Sequence, residues 1–118
     1  MKIKTSRGFV YILPEVFTAI CGFAATNCFG VKGMASRSAS DGLARLLRRD
    51  SISKGVKVRF PEPGGSIGIE LHIVVEHGIN MPALCSSITS EVRYVVEKLT
   101  SAAVGTIDIY IDAVMVGA

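Results

Sequence analysis

The sequence predicts an α/β (α+β) fold built as a two-layer sandwich, with a mixed sheet of about four strands, helices packed on one face and the other face partly open. Three observations carry that prediction. Residues 67–76 and 104–116 each alternate apolar with more polar residues at a period of two, the mark of strands with one buried face. Between them, residues 82–99 repeat apolar side chains at helical spacing. Such a strand-helix-strand unit, when both strands lie in one sheet, crosses over right-handedly and leaves them parallel.

In chain order, Gly8-Phe9-Val10-Tyr11-Ile12-Leu13 is rich in branched and aromatic residues and reads as a short strand, stopped by Pro14, which suits the first turn of a helix. That helix runs to about Cys28, with Val16, Ile20, Phe23 and Ala24 as its buried stripe, Phe17 and Cys28 flanking it, and Gly30 available to end it. Residues 34–40 read as loop. Ser40 is placed to cap a shorter helix through Leu43, Leu46 and Leu47, whose last turn carries Arg45, Arg48 and Arg49, where the helix dipole favours cations.

Val56, Val58 and Phe60 then alternate with Lys57 and Arg59 as a strand with one apolar and one basic face. Pro61-Glu62-Pro63-Gly64-Gly65 forces a turn, and the next strand pairs back as a hairpin. On that strand Ile67, Ile69, Leu71, Ile73 and Val75 share one face; Glu70, His72, Val74 and Glu76 share the other. The following helix starts at Pro82 and has the core stripe Leu84, Cys85, Ile88, Val92, Val95 and Leu99. In the last strand Ile107, Ile109, Ile111, Ala113 and Met115 face the core, while Asp108, Tyr110 and Asp112 face outward.

The 118 residues fit a single domain, 1–118, and the 49% hydrophobic content excludes a disordered chain. Three cysteines (Cys21, Cys28, Cys85), an odd number in a chain that needs no disulfide staples, point to a reducing compartment and hence to the cytoplasm. Lys2, Lys4 and Arg7 precede an uncharged run from Val16 to Val31, but Pro14 and Glu15 interrupt the signal-peptide pattern, and the run falls short of the about 20 apolar residues that span a bilayer. Charge is divided unevenly: residues 1–59 hold eleven Lys and Arg against three acids, and residues 60–118 hold two against seven. If the halves occupy different ends of the domain, the molecule is an electrical dipole able to stack head to tail; if they intermix, the charge only keeps it soluble.

No catalytic or metal-binding constellation emerges. His72, His77 and Cys85 with Glu76 or Asp108 would suit a cysteine-histidine nucleophile, but His72 lies on the polar face of a strand and Cys85 on the apolar stripe of a helix, so they point into different layers. Zinc ligands come in closely spaced Cys or His pairs, which are absent here. Asp108 and Asp112, four apart on one strand face and so roughly 13 Å apart, are too far separated to act on one glycosidic bond. No cofactor is expected. One nucleic-acid signal competes: Gly30-Val31-Lys32-Gly33 has the Gly-x-x-Gly form by which KH domains clamp a backbone between two helices, and Lys32, Arg37, Arg45, Arg48 and Arg49 would line the phosphate path.

The order of Gly30-Val31-Lys32-Gly33-Met34, the strand opening Gly55-Val56-Lys57-Val58, the long strand closing on Glu76-His77-Gly78, a helix entered at Asn80-Met81-Pro82 and the final strand Val104 to Val116 resembles the alkaline shock protein family of small bacterial proteins over nearly the whole chain. The resemblance implies a non-enzymatic cytoplasmic factor in cell-envelope homeostasis and alkaline or envelope stress, held peripherally at the inner face of the membrane through a protein partner. Its candidate interaction surface is the basic segment Arg45, Arg48, Arg49, Lys54, Lys57 and Arg59 together with the open face Glu70, His72, Asp108, Tyr110 and Asp112. The charge division adds a homo-oligomer as an expected partner. One departure stands out: where the family commonly has Gly after the Thr that ends the last helix, this chain has Ser101-Ala102-Ala103, so the helix cap has to be built differently.

Overall fold

A computed structural model describes residues 1–37, 44–47, 49–61 and 65–116. Its elements are strands β1 (Lys2–Thr5) and β2 (Gly8–Tyr11), helix α1 (Pro14–Thr26), strands β3 (Val31–Arg37) and β4 (Ala44–Leu46), a 3-10 segment (Arg49–Gly55), strands β5 (Val56–Arg59) and β6 (Ile67–Glu76), helix α2 (Met81–Thr100) and strand β7 (Val104–Met115). β6 is the hub. β3 pairs antiparallel with its second half (Val31↔Val75, Met34↔Ile73) and β5 antiparallel with its first half (Val56↔Leu71, Arg59↔Gly68). β7 runs parallel along its whole length, from Ile67↔Val104 to Glu76↔Met115. A strand has two edges, so β3 and β5 share one end to end and β7 takes the other. β4 adds to the outside of β3. The sheet is therefore mixed, as the crossover argument requires, with both helices on one face.

The apolar side of β6 explains the layering. Ile67, Ile69, Leu71, Ile73 and Val75 are buried against Phe17, Cys21, Ala24 and Ala25 of α1 and Leu84, Ile88, Val92 and Val96 of α2, in one continuous cluster. Burial of these side chains is the main term holding the layers together, at roughly 1.5–3 kcal/mol for each large one.

α1 starts at Pro14 as expected, but its buried stripe is turned by one residue. Phe17, Cys21, Ala24 and Ala25 are buried, whereas Val16 and Phe23 are 44% and 51% exposed. The helix carries two apolar stripes side by side with Glu15 as its lone charge, so periodicity alone does not choose between them. Packing chooses. Phe17 meets Phe60 edge to face at 5.2 Å, and a Cβ on Gly22 would lie 3.3 Å from the Ile52 carbonyl oxygen, so this side of α1 receives the 3-10 segment at close range. In α2 the buried positions are Leu84, Ile88, Val92, Val96 and Thr100; Cys85 and Val95 flank them and Leu99 is 62% exposed.

Two further expectations are corrected. The segment from Met34 read as loop is instead part of β3, with Met34 and Ala35 fully buried. Its small and polar composition hides a strand that pairing imposes, with β6 at Met34 and with β4 from Ala35 to Arg37. The leucine helix after Ser40 does not form where it is described: Ala44–Leu46 pairs with β3 through Ala35↔Leu46 and Arg37↔Ala44, and Arg49–Gly55 is 3-10. Ser40, Leu43 and Arg48 lie outside the described residues. At the N-terminus, β1 pairs with β2 from Lys2↔Tyr11 to Thr5↔Gly8, so the expected strand at Gly8 is half of a hairpin. The Thr5 hydroxyl ties its turn, accepting from the Arg7 amide and donating to the Gly8 carbonyl.

The ends of α2 follow local rules. The Asn80 side chain caps the first turn by accepting from the Ala83 amide at 3.0 Å. At the other end Ser101 itself takes the left-handed conformation (φ 62°) that glycine would adopt without strain, and its amide donates to the Glu97 carbonyl. Thr100 finishes the cap: its hydroxyl donates to the Val96 carbonyl at 2.7 Å and accepts from the Ala102 amide at 3.2 Å. The Arg93 guanidinium bonds the carbonyls of Val104 and Gly105, and Glu97 accepts from the Val104 amide, which fixes the start of β7 against α2.

Candidate interaction face

The face of the sheet turned away from the helices gathers most of the predicted surface residues. Pairing sets Lys57 opposite Glu70 on β5 and β6, and sets Glu70 opposite Asp108 and His72 opposite Tyr110 on β6 and β7. Between Ile73↔Ile111 and Val74↔Ala113 the register slips by one, leaving Asp112 as the extra residue of a bulge. Bulges re-aim a side chain. Here the Asp112 carboxylate comes to 2.9 Å from His72 Nδ1, while Glu70 reaches His72 Nε2 at 2.8 Å.

The imidazole is thus held from both ends by carboxylates, and a ring with a single N–H can donate to only one of them. The imidazolium satisfies both. The Tyr110 ring stacks on the same imidazole, 4.7 Å between centroids and 9° from parallel. The Arg59 guanidinium extends the network outward, 3.9 Å from Glu70 and 3.6 Å from Asp108. The hydrogen bond from His72 is the main reason the Glu70 carboxyl is held below its usual range; the positive charges of His72, Lys57 and Arg59 act in the same sense, and desolvation opposes them. Exposure grades outward, from the Asp112 side chain (5%) to Arg59 (58%).

Lys57, Arg59, Glu70, His72, Asp108, Tyr110 and Asp112 therefore converge. Lys54 does not: it lies in the 3-10 segment. Arg48 lies outside the described residues, as do the side chains of Arg45 and Arg49. The two charge halves of the sequence meet on this face, since Lys57 and Arg59 of the basic half sit against Glu70 and Asp108 of the acidic half. At Lys57 and Arg59 the charges follow the intermixed alternative: Arg59 is engaged within its own chain.

The Gly30 to Gly33 reading is also corrected. Gly30 occupies a turn with φ 97°, and Val31, Lys32 and Gly33 open strand β3 against β6 rather than a loop between two helices. A KH clamp needs that loop free. The cysteines are far from the face. Burial pushes the Cys21 thiol up to about 12, and desolvation also raises Cys28 and Cys85, so none is primed as a thiolate. His77 lies in the turn after β6. Among the described residues no cluster of three or more His, Cys, Asp or Glu is arranged to hold a metal ion, and no helix is long and apolar enough to cross a membrane.

A feature outside the predicted surface is the β1–β2 hairpin, where Phe9, Val10 and Tyr11 are 50%, 48% and 66% exposed. The alternation Lys2-Ile3-Lys4 is its available signal, too short to stand out beside the longer strands.

Comparison with known proteins finds relatives over nearly the whole chain. The uncharacterised protein YloU of Bacillus subtilis (strain 168) is 33% identical over 98% of this chain and 96% of its own length. The uncharacterised protein Spy1614 of Streptococcus pyogenes serotype M6 is 29% identical over 98% and 95% respectively. A second Bacillus subtilis protein, the uncharacterised YqhY, is 33% identical over 91% of this chain and 77% of its own. No solved structure matches. A family model, that of the alkaline shock protein 23 family with cell envelope-related function, matches residues 2–116, and the chain belongs to that family.

Proposed function

We propose that this protein is a non-enzymatic, cytoplasmic interaction factor in cell-envelope homeostasis and the alkaline or envelope stress response, reading a membrane-associated protein partner through its open sheet face. The observation that supports this reading is the state of the ionisable groups on that face. Both His72 nitrogens end on carboxylates, and Arg59 reaches two more carboxylate oxygens, so the polar groups are bonded to one another instead of being aimed at an open reacting position. A fixed pattern of charge under an exposed Tyr110 suits recognition, in which aromatic and arginine side chains supply most of the energy. Partner binding also accounts for a place at the inner face of the membrane.

The test is an Arg59→Ala/Tyr110→Ala variant expressed in the native cell in place of the wild type. Cross-linking before and after an alkaline shift should lose one defined membrane-fraction partner, and growth under envelope stress should fall with it. Retention of both in the variant refutes the reading. Loss of stress growth in a folded His72→Gln protein that still captures its partner would instead point to chemistry at the face.

A further inference from the structure

The β1–β2 hairpin and the outer edge of β7 are each incomplete, in complementary ways. β1 and β2 form a separate two-stranded sheet, and among the described residues it makes no substantial packing contact with the rest of the chain. A lone two-stranded hairpin is marginal in water and is normally stabilised by a third strand or a packed face. β7 has the converse deficiency. One edge pairs with β6 over the length of the strand, and the other has no ladder partner among the described residues. A long strand of this kind is a template for strand addition unless it is blunted or covered. Arg93 and Glu97 cover only its start, at Val104 and Gly105.

The two edges match in side-chain chemistry on both faces. In the hairpin, Lys2 and Lys4 share a face with Phe9 and Tyr11, and the Lys2 ammonium sits 4.1 Å from the centroid of the Phe9 ring. Ile3 and Val10 share the opposite face. On β7, Asp108, Tyr110 and Asp112 turn to the open face while Ile107, Ile109 and Ile111 pack against the core. The two lysines are spaced as Asp108 and Tyr110 are, with the same two-residue period. Residues 1–14 carry Lys2, Lys4 and Arg7 with no acid, whereas residues 104–116 carry two acids and no base, of which Asp108 is 55% exposed and meets Arg59 at 3.6 Å.

We infer that β1 of one copy adds antiparallel to the outer edge of β7 in a second copy, Lys4 lying beside Asp108, Lys2 beside Tyr110, and Ile3 continuing the apolar side. The contact is heterologous, so it propagates head to tail unless the rotation closes a ring. It deepens the protein-contact reading above by naming one occupant of the face's rim, and it moves the basic partner from the Arg45–Arg59 segment to the N-terminal arm.

Sedimentation velocity on the full chain across a concentration and salt series tests it, together with the hydrogen exchange of β7 amides. The wild type should form concentration-dependent species that salt weakens, and the amides from Thr106 to Val114 should gain protection as concentration rises. Lys4→Glu and Asp108→Lys, each alone, should weaken association by about tenfold. An equimolar mixture of the two variants should restore it, because an acidic arm then meets a basic edge; this rescue excludes misfolding as the cause. A chain that stays monomeric, or an oligomer whose β7 amides gain no protection, overturns the inference. So does the arm binding anionic phosphatidylglycerol vesicles in a Lys4-dependent way while the protein in solution remains monomeric. Loss of the arm–edge contact with partner capture intact refutes this inference alone; loss of partner specificity with the contact intact refutes the broader reading.

Discussion

Removing the imidazole of His72 is the sharpest test of how the open face is held together. His72→Ala leaves Glu70 and Asp112 facing a void where each now has a donor within 2.9 Å. Hydrogen bonds to charged groups contribute about 1.5–3 kcal/mol each, and the Asp112 carboxylate is nearly buried, so its loss lies toward the upper end. Glu70 keeps Arg59 at 3.9 Å and Lys57 opposite, which offsets part of its loss. The sum is a destabilisation of about 2–4 kcal/mol near neutral pH, measurable as a fall in the urea midpoint at unchanged slope. The effect has a pH signature. A carboxyl whose folded pKa is depressed contributes stability that is complete above its unfolded value, about 4.3 for Glu, and that disappears as pH falls through the folded value. The difference between wild type and variant should therefore shrink as pH falls below about 4. A loss under about 0.5 kcal/mol, or one that does not shrink in acid, would refute the claim that His72 ties the two carboxylates.

The phase of α1 is tested by paired truncations: Phe17→Ala should cost about 3–5 kcal/mol and Phe23→Ala less than about 1, read by thermal or chemical denaturation, and the reverse order would restore the stripe that periodicity suggested. Ser101→Gly should stabilise by about 0.5–1 kcal/mol, since relief of a left-handed L-residue, about 1–2 kcal/mol, exceeds glycine's added chain entropy of about 0.5–1; a lower melting temperature would show that the serine side chain holds the cap.

What the sequence reveals and conceals divides along a physical line. The parallel unit from Ile67 to Met115 is legible because its strands are long, alternate cleanly and flank a helix with one apolar stripe. The face carrying Glu70, His72, Asp108 and Tyr110 follows from that alternation. Its bonding does not, because it depends on a one-residue bulge at Asp112 that leaves no trace in hydropathy. β3 is hidden because Gly33, Ser36 and their neighbours carry turn composition, and only pairing makes them a strand, with β6 at Gly33 and with β4 at Ser36. β4 escapes because three residues with a leucine at one end fit helical and extended periods alike. In α1 the ambiguity is of rotation: two apolar stripes of equal strength leave the orientation to Phe60 and Ile52, distant in sequence.

The shared edge of β6 has a consequence for how this fold can vary. The chain quits that edge after Met34 and rejoins it at Val56, with both ends pinned by antiparallel pairing to one strand. Between those points β4 pairs with β3 and Ile52 packs against Gly22, so added length is tolerated only outside these contacts, where closing a longer loop costs only about 0.6 kcal/mol per doubling. The splice itself is strict. A Cβ on Gly55 would come within 2.9 Å of Met34 Cβ and 3.2 Å of the His72 carbonyl oxygen, so the rejoining point admits little but glycine. Insertions between Met34 and Gly55 that leave the β3–β4 pairing and the Ile52 contact intact are thus the economical route by which a chain of this architecture can acquire a new surface while leaving the His72 network in register.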